Sequence, residues 1–220
     1  MHPSVAPALS FNGGFVDTLG FLALQGLFTA HVTGNFVTLG VSIVNGASGA
    51  LSKLIALPVF VLVVGLTHLA AVAIHRRGLV PLRLLLVAHT LMLAAFAGLA
   101  IYWGPFADSD STKALITGMT GVAAMAIQNA ISRQPTTLMT GNVTQFAIDV
   151  FALWGERDPA QRATIHLRLK PVCITLLAFA IGCISAALLY LVTGLWGLLL
   201  PLVIAIGVCL NTHRKDQLHA

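Results

Sequence analysis

Apolar residues run through this chain in long blocks separated by short polar stretches. A helix needs about 20 mostly apolar residues to cross the hydrocarbon core of a bilayer. Leu54 to Ile74 meets that length with His68 as its one titratable group. Leu84 to Trp103 meets it with only His89 titrating near neutral pH, and Pro171 to Val192 with no charge at all. Leu195 to Leu210 is shorter but stays apolar to its end, after a turn predicted at Thr193-Gly194. Two further segments are longer and less uniform. Leu9 to Val44 carries Asp17, Gln25, His31 and Thr33-Gly34-Asn35. Ala114 to Trp154 carries Gln128, Asn129, Arg133, Pro135, Thr140-Gly141-Asn142 and Asp149. As straight helices these two would be about 50–60 Å long, against a core of roughly 30 Å. Each must break, tilt strongly or fold back.

The two Thr-Gly-Asn triplets lie 107 residues apart (140 − 33 = 107), and the same offset pairs Gly14 with Gly121 and Thr29 with Thr136. After each triplet come a short apolar segment, a polar loop, a helix with proline near its start (Pro58 or Pro171) and a final span. This internal symmetry predicts a duplication within a single membrane domain over 1–220, with repeat A at 9–104 and repeat B at 112–211. The expected fold class is all-α integral membrane. It has about six transmembrane helices in two three-helix repeats, the first helix of each broken at Thr-Gly-Asn. An odd number of crossings per repeat makes the second enter from the opposite side, an inverted-topology arrangement.

Composition strengthens the membrane reading. Only 9% of residues are charged and 57% are hydrophobic, with a mean hydropathy of +0.91. About 25% charged is usual for a soluble domain. The formal charge of +5 and pI near 9.6 do not point to nucleic acid, because no basic face alternates with aromatics. The basic residues instead cluster between the apolar blocks. Six crossings put nine of them on one side (Arg76, Arg77, Arg83, Arg157, Arg162, Arg168, Lys170, Arg214, Lys215) and Lys53 and Lys113 on the other. The positive-inside rule then makes both termini cytoplasmic. The N-terminus has no Lys or Arg before its apolar stretch and does not read as a cleavable signal. Cys173, Cys183 and Cys209 lie inside apolar runs and read as small hydrophobic filler.

The Thr-Gly-Asn breaks give a physical reason for a site. Glycine tolerates the dihedrals that stop a helix, and Thr and Asn cap a new one. Fresh helices are therefore expected over Phe36 to Val44 and Val143 to Leu153. Their first amides would lack partners and carry partial positive charge, which suits an anion or carboxylate. The candidate substrate-binding residues are Asp17, His31, Thr33, Gly34, Asn35, Gln128, Asn129, Thr140, Gly141 and Asn142. A carboxylate such as Asp17 in an apolar helix must face protein or water. It would carry a proton or hold a cation, unless it is an interfacial cap. His31 would relay a proton or contact substrate, unless it is a neutral histidine bonded to a carbonyl. Gln128 and Asn129 would be a neutral counterpart of Asp17, or an interhelical hydrogen-bond pair. Asp149 would pair with Arg133 or Arg157. Small residues at Gly65, Ala70, Gly182, Ser185 and Ala186 read as close helix packing, within one chain or in a homodimer. No metal site, cofactor or enzyme constellation is expected, since no Gly-x-Ser-x-Gly, P-loop or His-Glu-x-x-His occurs.

Gly14-Phe15-Val16-Asp17, Phe28-Thr29-Ala30-His31-Val32-Thr33-Gly34-Asn35, Gln128-Asn129-Ala130 and Leu138-Met139-Thr140-Gly141-Asn142 together resemble the YoaK family of bacterial membrane proteins, a domain of unknown function. The similarity runs from about Phe11 to about Leu210. It implies a bacterial cytoplasmic-membrane protein with about six spans and supplies no substrate. The expected function is a small secondary transporter or channel for a small polar or anionic solute. The alternative is a non-transporting scaffold or sensor that binds lipid or a partner protein, and an intramembrane enzyme ranks below both.

Overall fold

The computed structural model of the protein describes residues 5–132 and 139–218. Arg133, Pro135 and Thr136, which the sequence places just before the second triplet, lie outside them. The described residues form helices α1 (Val5–Ala23), α2 (Gly34–Asn45), α3 (Ala50–Arg76) and α4 (Pro81–Trp103), then α5 (Thr112–Ile131), α6 (Met139–Gly155), α7 (Pro159–Thr193) and α8 (Leu199–Leu218). A 3-10 turn, Gly194–Leu198, links α7 to α8.

Among the described residues four stretches are long and apolar enough to cross a membrane: α3, α4, α5, and Pro159–Thr212, which takes in α7, the 3-10 turn and most of α8. Their surfaces are the reverse of a soluble protein's. Val61, Leu62, Leu66 and Leu69 of α3 and Leu177, Ile181, Ile184, Leu188 and Leu191 of α7 are exposed. Asn12, Asp17, His89, Thr117 and Gln128 are buried. Water penalises that arrangement, whereas lipid solvates the outer leucines and leaves the polar groups to find partners inside. The chain is a multi-pass membrane protein.

α1 and α7 pack most closely of all the helices. A Cβ on Gly14 would run into the carbonyl oxygen of Phe179, and one on Gly182 into that of Phe11. Glycine at both positions lets the two backbones touch, as the small-residue reading of Gly182 predicts. Gly65, from the same reading, faces open space. In the other half α5 packs on α3 and α4.

The helix ends sort to two ends of the bundle. At one end Gln25, just past α1, donates its side-chain amide to the carbonyls of Phe106 and Ala107 in the α4–α5 loop, both at 3.2 Å. The start of α3 is there too, because Asp110 of that loop accepts hydrogen bonds from the amides of Gly49, Leu51 and Ser52 at 2.9, 3.3 and 2.9 Å. Asp110 thereby caps a helix remote in sequence, whose own N-cap position is held by Gly49 in a left-handed conformation (φ 97°). Burial opposes ionisation of Asp110, but these amides and the Ser52 hydroxyl outweigh it and hold the carboxyl below the usual carboxylate range. At the other end Val5 and Leu9 of α1, Leu85 and Leu86 of α4, Ile127 and Ile131 of α5 and Val208 of α8 form one apolar cluster.

Several expectations change. In each long polar-containing segment a longer helix precedes a shorter one, α1 before α2 and α5 before α6. α2 begins at the first triplet, and the second triplet lies within the described part of α6. α7 is 35 residues, about 50 Å long. It absorbs Arg162, Arg168 and Lys170, expected as loop, as a helical extension ahead of the apolar run. Pro58 and Pro171 stand within α3 and α7, not near their starts. Lys53, expected in a solvated loop, is 3% exposed and donates from Nζ to Ser42 Oγ at 2.7 Å. Asp149 pairs with Arg168 at 3.1 Å and not with Arg157.

Candidate functional site: a re-entrant loop around Asp17

The chain leaves α1 through Gln25 and Gly26, both left-handed (φ 53° and 87°). These two residues, not Gly34, make the reversal. Leu27 to Val32 then runs back beside α1 as far as Asp17, well inside the bundle. α2 starts there and returns to the end it came from: Ser42, near its close, meets Lys53, and Lys53 packs beside Gly26. The segment from Leu24 to Asn45 is thus a re-entrant hairpin.

Two buried side chains hold it. Asp17, 4% exposed, accepts on Oδ1 from the Ala30 amide (2.7 Å), the Thr29 hydroxyl (3.3 Å) and the His31 amide (3.4 Å). Its Oδ2 lies 2.6 Å from His31 Nδ1. Asp17 is therefore not a helix cap. It lies in the fourth turn of α1 and organises the loop, and a buried carboxylate surrounded by donors is how such a charge is tolerated inside a membrane protein. Asn35, 1% exposed, grips the Phe28 backbone from both sides, with the Phe28 amide donating to Oδ1 (2.8 Å) and Nδ2 donating to the Phe28 carbonyl (2.9 Å).

The first amides of α2 are not free, contrary to expectation. Gly34, Asn35 and Phe36 donate to the carbonyls of His31, Val32 and Thr33 at 2.8, 3.2 and 3.2 Å. Thr33 occupies the N-cap position without a side-chain cap bond. The anion-binding role that helix starts often play is unavailable at this one, and the nearest group able to be positive is His31.

A cavity of about 510 Å³ opens beside the pair. Asp17, Thr18, Phe21 and Leu22 of α1 form one wall, and Phe28, His31, Thr33 and Gly34 of the hairpin another. Phe179 and Cys183 of α7 and Thr140 at the start of α6 close it. The His31 ring meets Phe28 and Phe179 near edge-on, with centroids at 6.3 and 5.4 Å. Its side chain is 30% exposed. This volume lies within the range of small-molecule sites, which are mostly apolar with a few placed polar groups.

Of the ten residues singled out in the sequence, Asp17, His31, Thr33, Gly34 and Thr140 line this cavity. Asn35 stands behind the wall as a clasp. Gly141 is exposed and Asn142 half-buried on the first turn of α6, and neither lines it. Gln128 and Asn129 belong elsewhere: Gln128 donates to the Leu9 carbonyl and Asn129 to that of Met125, both at 2.9 Å. The repeat offset assigns Asp17 a different counterpart, Ala124 (124 − 107 = 17), so the second half has no carboxylate there. Phe21, Phe28 and Phe179 were not named as candidates, and Cys183 was read as filler. Apolar residues are too common in membrane helices to stand out, and nothing in the spacing brings α7 to α1. Among the described residues no group of His, Cys, Asp or Glu is placed to hold a metal.

A family model described as a protein of unknown function (DUF1275) matches residues 5–211. No curated protein matches the chain, and no solved structure does.

Proposed function

The chain belongs to the DUF1275 family, the YoaK-like proteins of unknown function, and from that premise we propose that it is a small secondary transporter or channel for a small polar or anionic solute, not an enzyme. The observation that carries this is the 510 Å³ cavity, which brings His31, Thr33 and Gly34 of the first hairpin together with Thr140 of the second triplet.

The architecture we propose has two inverted halves. α1, α3, α4, α5, α7 and α8 each cross once, and α2 and α6 enter part-way from opposite faces. The packing supports it: α1 pairs with α7 as α5 pairs with α3, and α2 with α3 as α6 with α7. The sorting of helix ends supports it too, since the α1–α2 reversal and the α4–α5 loop share one end. Two part-way elements approaching a central cavity from opposite sides recur in transporters built on inverted repeats. The reading includes a bacterial cytoplasmic membrane with both termini cytoplasmic.

Purified protein in liposomes, tested with small organic and inorganic anions, should give flux that saturates and that His31→Gln reduces at least about tenfold. Absence of flux for every solute would refute transport. The clasp of Asn35 on Phe28 and the occupied amides of α2 favour the second reading, a non-transporting scaffold that binds lipid or a protein. That reading predicts no flux. Cysteine substitution at exposed Lys113 reports the outer face, and buried Lys53 is unsuited to that purpose.

A further inference from the structure

The ionisable groups lining the cavity are few, and they constrain what it accepts. α1 contributes Asp17, the hairpin His31 and α7 Cys183, while the lining residue from α6, Thr140, does not titrate. No Lys or Arg lines it among the described residues. Asp17 Oδ1 already accepts three hydrogen bonds and Oδ2 faces His31 Nδ1, so the carboxylate has little left to offer a ligand. With Nδ1 facing Asp17 Oδ2, Nε2 is the ring nitrogen of His31 left to carry a second proton.

We infer that the cavity takes a small monocarboxylate together with one proton, the proton residing on His31 Nε2 and donated to the bound carboxylate. This rests on the transporter reading above and names its substrate class. The charges set the order of events. With His31 neutral the pair carries the single negative charge of Asp17, and an anion added to that state places two negative charges in a low-dielectric site with no cation. Protonation makes the pair neutral, and a monocarboxylate then restores a net charge of minus one. Empty and loaded sites carry the same charge, so turning the site from one face to the other moves no extra charge through the membrane. A dianion would leave an uncompensated charge.

The walls narrow the class further. Phe21, Phe28, Phe179 and Leu22 offer apolar surface, and Thr18, Thr33 and Thr140 a few hydroxyls. One ring N–H and these hydroxyls suit the two oxygens of a carboxylate with a short apolar body. Phosphate or sulfate would need more donors or a fixed cation.

The test uses the full chain with Cys173→Ser and Cys209→Ser, leaving Cys183 as a thiol reporter on the cavity wall. Pyruvate is the probe, with succinate and sulfate as controls. Pyruvate should slow N-ethylmaleimide labelling of Cys183 several-fold, and succinate and sulfate should not. In weakly buffered solution above neutral pH its binding should take up about one proton per chain. The concentration needed for protection should rise about tenfold per pH unit over the range in which binding takes up a proton, a readout that the wild-type chain supplies by itself. His31→Gln should abolish the proton uptake. In liposomes, an inward proton gradient should drive pyruvate accumulation that a potassium diffusion potential leaves unchanged. Protection without proton uptake, or flux driven by membrane potential, would overturn the coupling and leave transport standing. Protection by succinate or sulfate in place of pyruvate would overturn the substrate class alone. No protection and no flux with any solute would overturn both readings.

Discussion

The two Thr-Gly-Asn triplets have the same letters and different surroundings. In the first, Gly34 lies under the Phe28 ring, where a Cβ would come within 2.9 Å of it, and Asn35 is buried with both ends of its amide on the Phe28 backbone. In the second, a Cβ on Gly141 would meet nothing within 4 Å and the residue is exposed. Asp17 anchors the first hairpin, whereas the equivalent position in the second half is Ala124, whose carbonyl is 3.0 Å from His89 Nδ1. The first triplet is therefore built into an ionisable hairpin, while the glycine of the second lies on an open helix surface. In the two-halved architecture proposed above, a single site needs its charged groups only once, so one half can specialise.

The largest effect belongs to the frame itself. Gly14→Ala and Gly182→Ala each drive a methyl into a backbone carbonyl, which cannot rotate away. Each should cost more than the roughly 1–3 kcal/mol usual for overpacking, and folded, monodisperse protein should be largely lost in detergent. Gly121, the counterpart of Gly14, faces the Phe96 ring and the Thr29 methyl, both of which can shift. Gly121→Ala should cost only about 1 kcal/mol by thermal melting. Equal losses in the two halves would mean that the packing is more symmetric than the contacts described here.

Much of this was legible in the sequence. The apolar blocks and the scarcity of charge marked a membrane protein, because lipid selects composition directly. The first Thr-Gly-Asn triplet located the start of α2 to within a residue. The direction of the chain after α1 was not legible. Gln25-Gly26 looks like any polar pair, and only the left-handed dihedrals there turn the chain back on itself. Lys53 and Asp110 were also opaque. Each looks solvated from its neighbours in sequence, and each is fixed by a partner from another element. Asp17 stood out as an expensive residue, but its four hydrogen-bond contacts come from a loop 12–14 residues on, and spacing alone does not show that loop returning.

Asn35 and Asn142 test the difference between the triplets at the next scale down. Asn35→Ala leaves the Phe28 amide and carbonyl without their partners in a buried place. It should cost about 2 kcal/mol and loosen the hairpin, which proteolysis between Leu24 and Thr33 would register. Asn142→Ala should cost less than half as much, since that residue is only half-buried. Comparable costs would show that the second triplet clasps a loop of its own.

The helix caps differ in the same sense. α7 is capped by its own Asp158, which accepts from the Ala160 amide at 3.0 Å, while α3 depends on Asp110 from another loop. Asp110→Asn should lower stability by about 1 kcal/mol at neutral pH. Because the native carboxyl is held below its ordinary range, its contribution is fully present above about pH 4 and is lost as pH falls through the lowered value. The gap between wild type and Asp110→Asn should therefore close on acidification. A gap that widened instead would show that the carboxylate destabilises this end.

The smallest effect is the most informative about mechanism. Gly141 sits in α6 without a positive φ and with open space where a Cβ would go. By helix propensity alone, Gly141→Ala should be neutral or stabilise by up to about 1 kcal/mol, whereas Gly34→Ala should destabilise because Phe28 must move. If stability follows this pattern and flux is unaffected, the second glycine only marks where a helix begins. If Gly141→Ala folds normally but slows flux, the space beside Gly141 is used by a conformation other than the one described here.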